Sequence, residues 1–228
     1  MFGNGFSYWW LIIPPLVLSL WAQFKVMRTF SKYKEVATAK GITGAVAARE
    51  ILKAYGVNDV PVENVPGELT DHYDPKLRVL RLSESVYNSS SVAALGVAAH
   101  EVGHAIQHAT SYAPLMLRNN FYPIAALGTN LGPILVIVGI IIGFIKPLIM
   151  IGIFLFAFAV FFSLVTLPVE FDASKRAIKV LEGGGMLTAE EVVGAKKVLS
   201  AAALTYVAAA VTAILTLIRF ILMSRSRD

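Results

Sequence analysis

The sequence predicts a mainly α membrane protein, with about four transmembrane helices and one α+β domain holding a small β-hairpin or sheet. Three observations lead there. Of the 228 residues, 56% are hydrophobic and only 15% are charged, whereas an ordinary soluble domain carries about a quarter charged residues. The apolar excess falls in four runs, Phe6 to Ala22, Phe121 to Ile145, Pro147 to Val169 and Ala201 to Met223. Each is close to the ~20 residues that cross a hydrocarbon layer as a helix. Between the first two runs, Lys25 to Asn120 is polar and carries helix and turn signals of its own.

The elements follow in chain order. The first run has no Lys or Arg before it and no small-residue cleavage site ahead of Lys25, Arg28, Lys32 and Lys34. It therefore reads as a retained span and not a signal peptide, with Pro14-Pro15 as a kink. In the polar stretch, "TGAVAAREILKAYG" is an amphipathic helix with Thr43 as N-cap and Gly56 as its stop. "VPVENVPG" is a short extended piece, and "ELTDHYDPKLRVLRLS" a hairpin turning at Asp74-Pro75. A long helix from about Ser90 to Ala109 is rich in small and apolar residues, which suits burial within protein.

Only Lys146-Pro147 separates the second and third runs, so they form a tight hairpin that leaves a membrane and returns. "PVEFDASKRAIKVLEGGG" is then a short helix closed by its glycines. Thr188 with Glu191 three residues on is a capping box, and that helix runs through "VVGAKKVLS" into the last apolar run. The predicted organisation is an N-terminal transmembrane helix (1–24), a first part of the polar domain (25–120), a transmembrane helical hairpin (121–169), a second part of the polar domain (170–200), and a C-terminal apolar helix with a basic tail (201–228).

Charge orients this arrangement. Eleven of the 20 Lys and Arg lie between Lys25 and Arg118, and five more between positions 169 and 200. Basic residues are retained on the cytoplasmic side, so both polar parts are expected to face the cytoplasm of a multi-pass cell-membrane protein. The same distribution accounts for the net charge of +5, and no nucleic-acid partner is expected. If the last run crosses fully, "SRSRD" ends outside with its arginines; alternatively "AAALTYVAAA" packs in the polar domain without crossing. There is no cysteine, which excludes disulfides and thiolate metal sites.

The chemistry centres on "AAHEVGHAIQH". Three of the four histidines, His100, His104 and His108, recur there at four-residue intervals, with Glu101 beside the first. On a helix, residues four apart lie on one face, about 6 Å apart along the axis. His100 and His104 can thus aim at one ion at the Zn–N distance of about 2.0–2.1 Å. Glu101, about 100° around the helix, flanks that point without occupying it and can take a proton from a water there. This is the H-E-x-x-H arrangement of two ligands and a general base, which brings peptide hydrolysis within reach near neutral pH. The alternative is a buried helix with satisfied core histidines, an expensive core without a metal. His108 lies a further turn on, about 12 Å from His100 along the axis, and Gln107 stands where three-histidine enzymes carry a helix-breaking glycine. His108 is therefore read as a supporting or surface residue.

A catalytic zinc needs a third protein ligand and one open position. Glu170, in "LPVEFDASKRA", is the first acidic residue after Glu101. An ionisable group at a membrane boundary is a functional candidate by default, and the apolar hairpin can carry Glu170 back to the histidine helix. The choice falls on Glu170 over Asp172; an ordinary interfacial charge paired with Lys175 or Arg176 is the plain alternative. For oxyanion stabilisation, Tyr206, His72 and Arg176 are candidates, Tyr206 equally as an interfacial or packing residue. The strand "RVLRL" offers an edge to an extended substrate, or is simply buried.

"AAHEVGHAIQ", "LPVEFDASKRA" and "GAKKVLSAAALTYVAAA" together resemble the bacterial membrane-bound neutral zinc metallopeptidases, over nearly the whole chain. That family is similar in motif order to the heat-shock membrane protease and CAAX prenyl endopeptidase group of gluzincins, whose pattern is H-E-x-x-H, a membrane segment, then E-x-x-A-D. The resemblance implies a zincin-like catalytic domain facing the cytoplasm and one Zn²⁺ per chain. It implies His100 and His104 as ligands, Glu101 as base and Glu170 as third ligand. The group's Asp four residues after the ligand Glu is Ser174 here. Ser174 is neutral and supports a ligand imidazole less, and Asp172 is the candidate substitute.

The expected activity is a membrane-embedded zinc endopeptidase acting on a peptide or membrane-protein substrate at the lipid bilayer. Two rivals come from other classes. An intramembrane protease would place H-E-x-x-H inside a span and add an "LDG"-type Asp, which the sequence lacks. A non-catalytic scaffold or transporter would show broken helices or repeated halves, and neither appears.

Overall fold

The structure, a computed structural model, describes residues 8–225. The start of the first apolar run at Phe6 and the end of the basic tail lie outside the described residues. Seven helices, α1 (Ile13–Lys34), α2 (Gly44–Ala54), α3 (Glu84–Tyr87), α4 (Val92–Ala109), α5 (Ala113–Ile141), α6 (Lys146–Gly183) and α7 (Ala189–Arg225), accompany three short strands, β1 (Val62–Val65), β2 (His72–Asp74) and β3 (Val79–Ser83). The protein is thus mainly helical with one small sheet. Among the described residues, four helices are long and apolar enough to cross a membrane: Trp10–Lys34, Ala113–Ile141, Lys146–Gly183 and Ala189–Arg225.

Three local expectations change. Pro14-Pro15 sit in the first turn of α1 and not at an interior kink, where a missing N–H leaves no intrahelical bond unmade. The chain reverses at Ile142–Ile145, before Lys146-Pro147, with Gly143 and Phe144 at positive φ and the Ile145 N–H donating to Gly139 O at 2.8 Å. The third apolar run and the "short helix" after it are one 38-residue helix with Pro168 inside. One proline removes a single intrahelical bond, a cost of ~3 kcal/mol, which the packing of the flanking turns outweighs.

The chain divides into two compact units. The apolar unit comprises the chain up to Gln23, Met116–Pro168 and the chain from Thr205 on. Val136, Ile149, Phe156 and Phe220 are buried in its core. Leu16, Val17, Leu20, Ile151 and Phe154 are more than half exposed, an outward apolar surface that suits lipid and not water.

The polar unit comprises Phe24–Leu115 and Val169–Leu204. Thr43 caps α2 by accepting from Val46 N–H at 3.3 Å, and Ser91 caps α4 by accepting from Ala94 N–H at 3.2 Å. The expected capping box opens α7: Thr188 Oγ1 accepts from Glu191 N–H, and Glu191 Oε2 from Thr188 N–H. The core packs Ile51 and Leu52 of α2 and Leu80 and Leu82 of β3 against Leu95, Val102 and Ile106 of α4, joined by Leu181 and Leu199. The sheet order is β1-β3-β2, with β1 parallel and β2 antiparallel to β3. The expected hairpin is present, but "RVLRL" forms the central strand. Both of its edges are paired, so the free edges belong to β1 and β2.

Candidate metal centre

Helix α4 is the platform of the site. It is almost wholly buried, and its polar residues gather in one stretch from His100 to His108. The helical repeat puts His100 and His104 on one face, their rings edge-to-face with centroids 4.8 Å apart. Opposite them, α6 presents a buried stripe at helical spacing, Val169, Glu170, Ala173, Ala177 and Leu181. Glu170 is the one charged member, only 3% exposed.

Gly103 is what lets the two helices meet. A Cβ there would lie 2.7 Å from Ala173 O and 3.1 Å from Ala173 Cα, so the backbones are in contact between the two histidines. Gly103→Ala is expected to push α6 away from α4 at Glu170. Zinc affinity, read by competition with a coloured chelator, should fall by about tenfold or more, as for disturbed ligand support generally, with helical circular dichroism retained.

Glu170 Oε2 lies 3.2 Å from His100 Nε2 and 3.6 Å from His104 Nε2. One donor atom from each of the three residues falls within 4.8 Å of the others. Atoms about 2.0–2.1 Å from one ion, at tetrahedral angles, are ~3.3 Å apart, so the two separations from Glu170 suit a metal such as zinc.

The surrounding hydrogen bonds set the direction of the lone pairs. Gln107 Nε2 donates to Val169 O and to Asp172 Oδ2, each at 2.8 Å. Both partners only accept, so the amide orientation is decided and Gln107 Oε1 faces His104 Nδ1 at 3.1 Å. His104 Nδ1 must therefore carry the proton and donate, which leaves the Nε2 lone pair facing Glu170. Ser174 Oγ lies 3.1 Å from His100 Nδ1, and its hydroxyl can accept there when His100 Nδ1 carries the proton. With that tautomer, two imidazole lone pairs and a carboxylate converge as a donor set for a cation.

Glu101 stays outside that triangle. Its Oε2 accepts from the Tyr73 N–H of β2 at 3.1 Å. Burial pushes its carboxyl up to about 7, while the adjacent His100 works in the opposite sense. Tyr73 pairs with Leu80 in the ladder, and Leu80 N–H donates to Pro61 O on the far side. The Tyr73 N–H and C=O therefore both point away from β3, along the free edge. That edge is pinned at two further points: His108 Nδ1 lies 2.8 Å from the Tyr73 hydroxyl, and Asp71 accepts from Ser83 N–H at 2.7 Å and Ser83 Oγ at 3.0 Å. Burial raises the Asp71 carboxyl above its usual range, against the pull of the Ser83 bonds.

The residues singled out from sequence thus fall into groups. His100, His104 and Glu170 come together, with Glu101 alongside. Ser174 touches His100. Asp172 reaches His104 only through Gln107 and pairs with Arg176. His108 holds Tyr73, and His72 is exposed with its Nδ1 on Thr70 O. Tyr206 lies on α7 in the apolar unit. Sequence reasoning missed Gln107, Tyr73 and Asp71. For Gln107 a signal existed: an amide three residues after His104 on an apolar helix shares its face. For Tyr73 and Asp71 none did.

Comparison with known proteins bears on this geometry. Residues 8–225 match the family described as "Putative neutral zinc metallopeptidase". The chain belongs to that family. It is 51% identical over 213 residues to "Putative membrane protease YugP" of Bacillus subtilis (strain 168), covering 93% of this chain and 94% of that protein. No solved structure matches the chain. Membership in this family implies zinc, and the His100–His104–Glu170 cluster could hold a metal ion.

Proposed function

We propose that the protein is a membrane-embedded zinc endopeptidase of gluzincin type. In this reading His100, His104 and Glu170 hold one zinc ion, and Glu101 is the general base. The observation that carries it is the gathering of those three donor atoms within 4.8 Å of one another, Glu170 at 3.2 and 3.6 Å from the two imidazoles, with a carboxyl of raised proton affinity directly beside them.

A zinc ion bound there would supply Lewis acidity, polarising the scissile carbonyl and bringing the pKa of a water to about 7. The chain's own residues do the rest. Glu101 takes the proton of the attacking water and passes it to the departing amine nitrogen. The Tyr73 N–H holds the Glu101 carboxylate in place between those two acts. Gln107 fixes the tautomer of His104, and the Ser174 hydroxyl accepts from His100 Nδ1–H when Nε2 faces the metal. An extended substrate pairs along the outer edge of β2, where the Tyr73 C=O accepts a backbone N–H.

The histidines lie on α4, which is not among the four candidate spans. This favours an enzyme working beside its membrane helices over an intramembrane protease. The basic residues cluster in the two polar stretches, which supports a site facing the cytoplasm. The substrate class is a peptide or membrane protein. Dialysis of the purified protein against a strong chelator should abolish cleavage of an unfolded protein substrate, and stoichiometric Zn²⁺ should restore it. Undiminished cleavage by metal-free protein would overturn the proposal.

A further inference from the structure

A second concave site in the polar unit lies apart from the histidine cluster. It is a cavity of about 700 Å³ between the C-terminal half of α1 and the N-terminal third of α7. Lys25, Arg28 and Lys32 line it from α1, and Lys196 and Lys197 from α7. Thr29 and Ser200 line the same space. No lining residue is acidic.

The spacing shows that this is a built face. Positions 25, 28, 29 and 32 fall on one side of α1, and 196, 197 and 200 on one side of α7, by the three-and-four rule for helix neighbours. Arg28 and Lys32 of α1 are like charges at such an interval and repel one another, and Lys196 and Lys197 of α7 line the same cavity. An arrangement of that kind is stabilised by an anion. One end is closed by close packing: a Cβ on Gly194 would lie 2.7 Å from Tyr33 Cε1, so the tyrosine ring seats against bare backbone. Val193 lines the cavity at that end, and toward the other end Ala201 and Leu204 make the lining apolar, where α7 enters its last apolar run. On α1, Lys25 directly follows the apolar residues Trp21, Ala22 and Phe24.

We propose that this cavity binds the phosphate headgroup of an anionic phospholipid, with Ala201 and Leu204 against the upper acyl chain. A cationic pocket at the polar flank of two membrane-crossing helices, hydroxyl-lined and apolar at the membrane-ward end, matches both halves of that molecule. A free anion would use the lysines and arginine but not the apolar end. An acidic polypeptide would meet a pocket closed at Tyr33.

The test uses the full chain in neutral detergent, titrated with phosphatidylglycerol or phosphatidylcholine and read by native mass spectrometry. The wild type should hold phosphatidylglycerol about tenfold more tightly than phosphatidylcholine. The triple variant Arg28→Gln, Lys196→Gln, Lys197→Gln should lose most of that preference. A control with the same net charge, Lys53→Gln, Lys76→Gln, Lys179→Gln, should keep it. Folding is checked by circular dichroism, and if the triple variant fails it, Arg28→Gln and Lys197→Gln are read singly, each expected to weaken binding about threefold.

Equal affinity for the two lipids, or an equal loss in the control, would overturn the proposal. So would displacement of the lipid by millimolar inorganic phosphate, which would mark a free-anion site. Stronger competition by polyglutamate than by lipid would overturn it in favour of an acidic polypeptide.

Discussion

Glu101→Gln is expected to lower kcat/KM by about a thousandfold or more, within the range that positioned proton transfer supplies, while the protein keeps its zinc. The substitution preserves volume, and the Gln carbonyl oxygen can still accept from Tyr73 N–H, so β2 stays where it is. What disappears is the basic oxygen that the proposed mechanism uses to take the water's proton. A thousandfold loss corresponds to about 4 kcal/mol of transition-state stabilisation. KM should move little, because the side chain takes no part in holding the peptide. The check is steady-state cleavage of an unfolded protein or peptide library beside metal analysis of the same preparations. Cleavage within about tenfold of wild type would remove Glu101 from the role of base.

Loss of a ligand should act in the opposite way. His100→Ala, His104→Ala and Glu170→Ala are each expected to strip zinc and cleavage together. A structural-type zinc site contributes binding free energy of order 10 kcal/mol or more, shared among few ligands, so one deletion weakens affinity by several decades. Glu170→Ala also leaves two imidazole lone pairs facing each other with no counter-charge. Against this, Glu101→Gln should retain about one zinc per chain. The two classes of variant are thus separated by metal content and not by activity, which both abolish.

Much of the architecture was legible because it rests on two periodicities. Four apolar runs of membrane length and a four-residue histidine spacing are one-dimensional signals that survive without coordinates. The caps at Thr43 and Thr188 belong to the same class, since each is a local bond between near neighbours. Continuity through Pro168 was not legible, because the packing that sustains α6 across it comes from residues distant in sequence. The edge was misassigned for a similar reason. "RVLRL" has the alternation of a strand, but only the parallel pairing with β1 makes it central and hands the free edge to β2.

The candidate site divides along the same line. His100, Glu101 and His104 sit within five residues, so helix geometry alone places them. Glu170 needed the returning helix to come within backbone contact of Gly103, a fact about three-dimensional packing that a glycine in a helix only hints at. Gln107 illustrates the intermediate case. Its spacing from His104 was visible, but its orientation follows from two acceptors, Val169 O and Asp172, more than sixty residues on.

Zinc content of Glu170→Ala beside Asp172→Ala tests the central claim most directly. Asp172 is two residues from Glu170 on the same helix, yet its carboxylate holds Gln107 and Arg176 and does not join the donor triangle. The account predicts that Glu170→Ala loses its zinc, whereas Asp172→Ala retains it with affinity lowered by about tenfold. Full zinc in Glu170→Ala together with metal-free Asp172→Ala would contradict it.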